Sequence, residues 1–393
     1  MKQISKKVTF TILSISLLTV MAGAAVAPAL GTIKQHFADS PNVLIQLIVS
    51  FPSLTIIITN FCFSYLCRFF RTKTLALVGL WLYTLSGSAA FFVDNIGIIL
   101  ILRALLGVSV GLIMPLSTGL LAYYFPPDKQ AKLMGLSASM SQMGGVIATL
   151  LAGLLSNIGW NYTFLIYLLG FVALIPVALF LPNEKITASG NITMKSLLKF
   201  HPSVTGMLLV MIIFFVFPTN FAIISAQHPN IQLSANNITF VMVGLDLSAS
   251  IIGLFFGFIM NFAPKYVKYF APSLFLAGYC FYAYGNSVLT LILGSLLIGL
   301  ANGIAIPYLN TIASIKGGKN AATTVMPLIS ASLYLGQFIS PLITTFISNT
   351  CFPLSDICAP YKVAIIFCII FLFQVFLTRN YQSLPPKRSD NTK

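Results

Sequence analysis

Apolar residues form long continuous runs along this chain, and short polar connectors separate them. Each run is about 20 residues long, the length that an α-helix needs to cross about 30 Å of hydrocarbon. Continuous rather than alternating apolar positions are typical of membrane helices and not of strands. The pattern predicts twelve spans, at residues 8–30, 43–67, 75–93, 96–124, 133–155, 162–181, 204–226, 238–262, 267–284, 288–312, 323–348 and 363–377.

The composition identifies lipid as the main solvent of the chain. Of 393 residues, 58% are hydrophobic and 7% are charged, whereas about 25% are charged in a typical soluble domain. So few polar groups do not cover a water-facing surface, which argues against a soluble enzyme, a disordered protein and a nucleic-acid binder. We expect an all-α integral membrane protein with twelve transmembrane helices, surrounded by the lipid bilayer.

The basic residues predict the orientation of the spans. The net charge is +15, and 19 of the 22 Lys and Arg residues fall on one side if the N-terminus is cytoplasmic. Basic residues in short loops mark the cytoplasmic side of a membrane protein. We therefore expect a multi-pass protein of the cell membrane with both termini cytoplasmic. A cleavable signal peptide is the alternative for the first span, but its apolar stretch is too long for one.

An internal repeat divides the chain into two similar halves. A Gly-x3-Gly-x3-Pro motif occurs twice, 192 residues apart, at Gly107, Gly111 and Pro115 and again at Gly299, Gly303 and Pro307. Parallel repeats of this kind are typical of transporters, with the substrate site between the halves. The repeat predicts two pseudo-symmetric six-helix bundles, residues 1–181 and 203–393, with a cytoplasmic linker at 182–202. The glycines permit close helix packing and the prolines permit kinks; static packing is the alternative to a role in movement.

Short motifs stand in several of the predicted spans. Arg103 stands four residues before Gly107, Ala27-Pro28-Ala29-Leu30 closes the first span, and Gly159-Trp160-Asn161 opens the sixth. These motifs resemble those of the major facilitator superfamily, and most of all its twelve-span drug:proton antiporter-like branch, where Arg is usual in place of Asn161. The span-five antiporter motif is represented by Gly144-Gly145 and Gly153 without its Pro. The resemblance covers the whole chain and implies a transporter that works by alternating access.

The connector between spans two and three departs from the gating motif of that family. It reads Ser64-Tyr65-Leu66-Cys67-Arg68-Phe69-Phe70-Arg71-Thr72-Lys73, without the two glycines and the Asp of the family pattern. Arg68, Arg71 and Lys73 match the pattern and are the candidate gating residues. The alternative is that these basic residues serve only to orient the spans.

Two charged residues fall well inside predicted spans, Arg103 and Asp246. A charge at membrane depth costs several kcal/mol by the more modest scales and is a functional candidate for that reason. Both residues lie roughly 10–12 Å below the predicted outer surface at 1.5 Å per residue, so an ion pair between them is an open possibility. We expect Asp246, the only acid in a span, to couple transport to protons, and Arg103 to tune it or to hold substrate.

Further polar residues in the spans are candidates to line a cavity: Gln46, Gln142, Asn220, Asn302, Asn310 and Gln337. Amides, aromatics and a single acid suit a neutral or amphipathic small molecule. No phosphate-binding loop and no metal-ligand spacing is present, so we expect no cofactor, no metal and no enzyme activity. Cys351 and Cys358 share the last predicted outer loop, where a disulfide and two free thiols are equally open.

These observations predict a secondary active transporter, an antiporter that exports small amphipathic or neutral molecules in exchange for protons. Its partners would be a small-molecule substrate, protons and lipid, and we expect a monomer. Uptake, sugar-type export and the flipping of a lipid-linked substrate by the same fold are alternatives. A membrane sensor that binds ligand without transport is the alternative from a different functional class.

Overall fold

The computed structural model describes residues 6–124, 127–183, 194–227, 233–262, 265–317, 321–353 and 355–378, and within them helices and connectors occur but no strands. The first half contains α1 (Lys6–Ala24), a 3-10 turn (Ala27–Ala29), α2 (Leu30–His36), α3 (Asn42–Phe69), α4 (Thr72–Ala89), a 3-10 turn (Ala90–Phe92), α5 (Ile96–Tyr124), α6 (Pro127–Ser156), a 3-10 helix (Trp160–Leu169) and α7 (Gly170–Phe180). The second half contains α8 (Met194–Gln227), α9 (Ala235–Phe262), α10 (Val267–Tyr284), α11 (Val288–Gly317), α12 (Ala321–Cys351) and α13 (Ala359–Leu377).

The helices agree with the all-α fold that the hydropathy pattern predicts. Within the described residues, 11 helical segments are long and apolar enough to cross a membrane. The predicted span that is not among these 11 is the ninth, residues 267–284. It corresponds to α10, which has 18 residues and is less apolar because it contains Lys268, Pro272 and four tyrosines. It packs against α11 and α13 within the bundle, so neighbouring helices cover part of its polar surface.

The helices of the first, sixth and seventh spans differ in extent or in geometry from the apolar runs that predict them. The first span breaks after Ala24 and continues as α2 to His36, and the sixth begins as a 3-10 helix at Trp160–Leu169 before α7. The seventh begins at Met194, inside the predicted linker 182–202, of which residues 184–193 lie outside the described part. Hydropathy marks only the apolar part of a helix, whereas hydrogen bonding carries the helix on into polar surroundings.

The helices of each half pack chiefly on one another. In the first half α3 packs on α5 and α1 on α6; in the second half α9 packs on α11 and α8 on α12. The halves meet along two seams, one between α3 and α12 and one between α6 and α9. The core is formed by buried aliphatic and aromatic side chains, while many large apolar side chains face outward, as expected for a protein surrounded by lipid.

The repeated glycines make equivalent contacts in the two halves. Gly107 lies against Pro52 and Thr55 of α3, and Gly299 lies against Leu245 and Ser248 of α9. The pairs 52/245 and 55/248 are each 193 residues apart, and the two glycines are 192 apart.

A matching pair of hydrogen bonds accompanies these contacts. Thr55 Oγ1 donates to the Ala104 carbonyl at 2.8 Å, and Ser248 Oγ donates to the Leu296 carbonyl at 3.3 Å. The sequence repeat is therefore also a repeat of helix packing, with α3/α5 equivalent to α9/α11.

Candidate functional site

A cavity of about 310 Å³ lies between the two halves. Four helices from each half supply its walls, α1, α3, α5 and α6 from the first and α8, α9, α11 and α12 from the second. These helices occupy equivalent places in the repeat. We call this space the central cavity.

The walls of the central cavity are mainly apolar, with a few polar groups. Methionine and aromatic side chains contribute much of the surface, among them Met114, Met211, Met242, Phe214, Phe217 and Tyr334. Tyr334 donates a hydrogen bond to the sulfur of Met114 at 2.8 Å, which joins α12 to α5. Of the described residues that line the cavity, Asp246 and Tyr334 carry ionisable side chains, and Asp246 is the one acid.

Asp246 is half-buried in α9 and lies on the wall of the central cavity. Its Oδ2 atom accepts a hydrogen bond from Thr149 Oγ1 of α6 at 3.0 Å, so the bond crosses the seam between the halves. One turn further along α9, Ser250 donates to the backbone carbonyl of Asp246 at 2.8 Å. The carboxylate is thus at the cavity wall and is also bonded to the opposite half.

Arg103 is buried in α5, 1% exposed, and does not belong to the described lining of the central cavity. Its Nη1 atom donates to the Tyr167 hydroxyl at 2.7 Å, and its guanidinium lies 4.8 Å from the ring centroids of both Phe164 and Tyr167. The Tyr167 hydroxyl donates in turn to the Ala22 carbonyl at 3.0 Å. Because Ala22 does line the cavity, Arg103 supports that wall from behind.

The structure therefore gives Arg103 and Asp246 separate partners. Arg103 contacts Tyr167 within the first half, and Asp246 contacts Thr149 across the seam. Two acids outside the central cavity have close partners: Lys362 pairs with Asp356 at 2.6 Å, and His36 Nε2 lies 2.6 Å from Asp94 Oδ1.

The predicted amide residues fall into two groups. Gln142, Asn302 and Gln337 line the central cavity, and the buried Oδ1 atom of Asn302 has no hydrogen-bond partner among the described residues. Gln46 and Asn220 lie beyond it. Asn310 is half-buried in α11 and is not part of the described cavity lining.

The halves touch at one end of the molecule, where the connectors 37–41, 157–159, 233–234 and 352–353 lie; we call this the closed end. Gln46 of α3 donates to Asn220 at 2.7 Å and accepts from Thr345 at 3.0 Å. On the other seam Asn157 donates to Asn236 at 2.7 Å. Gly31 approaches the Ala222 backbone, and Gly153 is in contact with Thr239. Both seams are therefore closed at this end.

A second, more polar cavity of about 170 Å³ lies at the closed end. The contacts of Gln46 with Asn220 and Thr345 form part of its lining, together with Asn42, Ser348, Asn349 and Asp356. The Asp356 carboxylate pairs with Lys362 at 2.6 Å and also accepts the Cys358 backbone N–H at 3.1 Å.

The candidate gating residues lie at the end of the molecule opposite the closed end. Arg68 is in the last turn of α3, Arg71 directly precedes α4, and both are exposed, while Lys73 in the first turn of α4 is half-buried. Pro115 and Pro307 stand inside α5 and α11. Cys351 and Cys358 are free thiols. Among the described residues no cluster of His, Cys, Asp or Glu could hold a metal ion.

The sequence pattern did not identify three hydroxyl residues of the site, two of which are the partners of Arg103 and Asp246. Thr149, Tyr167 and Ser53 each hydrogen bond to a distant helix, but hydroxyl side chains are common in membrane helices and nothing in their local sequence distinguishes these. One signal was available for Ser53. It precedes Asp246 by 193 residues, the spacing of the repeat.

Comparisons with known proteins give the chain a family. The profile of the Major Facilitator Superfamily matches residues 12–341. The chain is 24% identical over 296 residues to the quinolone resistance protein NorA of Staphylococcus aureus, covering 69% of this chain and 72% of that protein. It is 28% identical over 141 residues to the multidrug resistance protein B homolog of Mycobacterium tuberculosis, 35% of this chain and 26% of that protein.

Solved structures show the same fold. A bacterial homolog of the human lysosomal transporter Spinster, in an inward-facing and occupied conformation, aligns with a TM-score of 0.76 at 13% identity over 96% of this chain and 98% of that one. The nucleoside transporter NupG aligns with a TM-score of 0.77 at 10% identity over 95% of this chain and 99% of that one.

Proposed function

The chain belongs to the Major Facilitator Superfamily, and from this premise we propose that it is an antiporter that exports small amphipathic or neutral molecules in exchange for protons. Membership of the family, together with the all-helical fold, makes it a multi-pass membrane transporter rather than an enzyme. Proton coupling, the direction of transport and the class of substrate are the proposed part.

The position of Asp246 is the observation that carries the proposal. Its carboxylate stands on the wall of the central cavity and bonds to Thr149 of the opposite half. When the α6/α9 seam opens or closes, the surroundings of the Asp246 carboxyl group change, and its affinity for a proton changes with them. Proton uptake at Asp246 and movement of the halves are linked for that reason, as coupled transport requires.

The chemistry of the central cavity supports the proposed substrate class. Methionine and phenylalanine side chains adapt to apolar and aromatic surfaces of varied shape. Gln142, Asn302 and Gln337 offer neutral hydrogen-bonding groups, and one carboxylate is available for a single positive charge or for a proton. The relatives named for quinolone and multidrug resistance favour export over uptake.

The orientation and the arrangement of the halves follow as proposals. The bias of the basic residues favours cytoplasmic termini in the cell membrane, which makes the closed end extracellular and the observed conformation inward-facing. We assign residues 1–181 and 203–393 to the two moving units, residues 182–202 to their linker, and a monomer to the working form. Arg68, Arg71 and Lys73 are then cytoplasmic. Their role there is either to gate transport or to orient the spans.

The proposal is tested with purified protein in liposomes under an imposed pH gradient. A thermal-shift screen, beginning with the fluorescent quinolone norfloxacin, identifies a ligand, and counterflow then measures its exchange. We expect wild-type protein to drive the ligand against its gradient when protons move the opposite way. Asp246→Asn should bind and exchange the ligand, but it should lose gradient-driven transport because the carboxyl proton is no longer available.

Asp39→Asn is the matched control, because Asp39 is an exposed acid at the closed end and outside both cavities. It should transport like the wild type. Full gradient-driven transport by Asp246→Asn would contradict the proposed coupling. A ligand that binds but is not exchanged by counterflow would favour the sensor over the transporter, and movement of ligand with the protons would favour uptake.

A further inference from the structure

Ser53 occupies in the first half the place that Asp246 occupies in the second. Helices α3 and α9 are both 28 residues long, and they begin at Asn42 and Ala235. Ser53 and Asp246 each stand 11 residues after that start, and they are 193 residues apart.

The helix packing confirms this equivalence. Position 55 contacts Gly107 as position 248 contacts Gly299, and each also donates a hydrogen bond to the carbonyl three residues before that glycine. Position 56 contacts Gly111 as position 249 contacts Gly303. Because these flanking residues are matched by contact as well as by spacing, Ser53 and Asp246 share both depth and helix face.

Ser53 also makes the equivalent kind of bond. Its Oγ atom donates to Gln337 Oε1 of α12 at 2.8 Å, across the α3/α12 seam, as Asp246 accepts from Thr149 across the α6/α9 seam at 3.0 Å. All four residues line the central cavity. The partners are not themselves equivalent: Gln337 directly follows Gly336, whereas Thr149 stands five residues after Gly144, the counterpart of Gly336 in the repeat.

We propose that Ser53 is a positioning residue for transport, the uncharged counterpart of Asp246, and that the two residues hold opposite seams of the central cavity closed. The inference rests on the proposed proton coupling at Asp246. Because only one of the two equivalent positions carries an acid, the α6/α9 seam responds to protons and the α3/α12 seam does not. Exchange of the two side chains should therefore transfer the proton response to the α3/α12 seam.

The surroundings permit this exchange. Asp246 and Tyr334 are the ionisable groups among the described residues that line the cavity, and the hydroxyl of Tyr334 bonds to Met114. Arg103, on the helix that packs against α3, bonds to Tyr167 behind the cavity wall. A carboxylate at position 53 would meet the Gln337 amide, which can turn its N–H toward an acceptor.

The first experiment measures the distance between the two halves at the closed end and needs no substrate. Spin labels replace Asp39 of the first half and Asn286 of the second, both exposed, in full-length protein without its six native cysteines, and pulsed electron resonance gives the distance between them. Ser53→Ala should reduce the ratio of closed to open protein about three- to tenfold, the effect of one lost hydrogen bond. Ser53→Thr, which retains the hydroxyl, should restore it.

Ser50→Ala is the matched control, because Ser50 is a buried serine one turn away on α3 whose hydroxyl has no hydrogen-bond partner among the described residues. It should leave the closed population unchanged. If Ser53→Ala behaves like Ser50→Ala, the positioning role is wrong, and this comparison holds even where a charged variant does not fold.

The second experiment measures the closed population between about pH 5 and about pH 8 in three proteins. These are the wild type, the single variant Asp246→Ser, and an exchange variant that carries both Ser53→Asp and Asp246→Ser. We expect a pH-dependent closed population in the wild type, none in Asp246→Ser, and the pH response restored, in the same direction, in the exchange variant. A wild type without a pH response would overturn the proposed coupling. A responsive wild type beside an unresponsive, folded exchange variant would overturn the equivalence of Ser53 and Asp246.

Discussion

At the residue scale, Arg103 is a buried charge that contacts the wall of the central cavity indirectly, through Tyr167. Its guanidinium is enclosed by Phe164 and Tyr167, and its Nη2 atom is buried without a hydrogen-bond partner among the described residues. Such burial costs several kcal/mol unless the contacts offset it. The Tyr167 hydroxyl transmits the contact to the Ala22 carbonyl, two residues before α1 ends, where helix carbonyls lack their usual partners.

This geometry predicts that Tyr167 is needed for stability more than for binding. Tyr167→Phe removes the acceptor of Arg103 and the donor to Ala22 together, and leaves buried polar groups unpaired. We expect a loss of about 1–3 kcal/mol, measured as a lower unfolding temperature in detergent. Tyr162→Phe is the control in the same 3-10 helix, because Tyr162 contacts Phe91 through its ring at 5.1 Å. Equal stability of the two variants would contradict the role of the Tyr167 hydroxyl.

The sequence predicts the charged residues at this scale but not their partners. Asp246 is recognisable because no other acid falls in an apolar run, and Arg103 because it precedes Gly107 at a motif spacing. Depth along a helix follows from residue count, and on depth alone the two residues could pair. The helix face does not follow from residue count, because it depends on how each helix is rotated against its neighbours. That rotation directs Arg103 to Tyr167 and Asp246 to Thr149.

At the element scale, the glycines determine how closely α5 approaches α3 and how closely α11 approaches α9. A Cβ atom at Gly299 would overlap Ser248 and the Leu245 carbonyl, and both of these belong to α9. Small residues allow backbones to approach in membrane helix pairs, where packing rather than the hydrophobic effect holds helices together. The positions of Asp246 and Asn302 on the cavity wall depend on this approach, because they lie on the two helices concerned.

We therefore predict that Gly299→Ala destabilises the protein and Gly257→Ala does not. The first substitution forces α9 and α11 apart, at a cost of about 1–3 kcal/mol for overpacking. The space beside Gly257 is open, and alanine favours the helix there by up to about 1 kcal/mol. Folded yield and unfolding temperature of the two purified variants measure the difference. A stable Gly299→Ala protein would show that α9 and α11 tolerate a wider separation.

The boundaries of the elements were less predictable than their existence. The break between α1 and α2 falls within the predicted run 8–30, and most of the 3-10 helix Trp160–Leu169 falls within the predicted run 162–181. Hydropathy reports the burial of side chains in lipid and is insensitive to the hydrogen-bond pattern of the backbone. Pro28 marks the first irregularity, since it stands in the 3-10 turn, but Pro176, inside the regular helix α7, carries the same sequence signal.

At the scale of the whole molecule, the repeat and the bias of basic residues are the two properties that the sequence makes visible before any contact is known. The repeat appears again as equal glycine contacts in α3/α5 and α9/α11. The charge bias predicts which side of the membrane each connector occupies, and on that prediction the closed end is extracellular. Only contacts reveal that this end is closed, because Gln46, Asn220 and Thr345 come from three helices distant in sequence.

The native cysteines test that orientation. Cys351 is exposed at the closed end, so a membrane-impermeant maleimide added to intact cells should label it at about pH 7. Cys351→Ser should leave only the slower labelling of Cys358. Burial and the neighbouring Asp356 raise the pKa of the Cys358 thiol. Less of that thiol is then ionised at a given pH, so its labelling should be slower than that of Cys351 and should increase as the pH is raised, since the thiolate is the reactive form. Labelling of Cys351 only after the cells are permeabilised would place the closed end in the cytoplasm and make the observed conformation outward-facing.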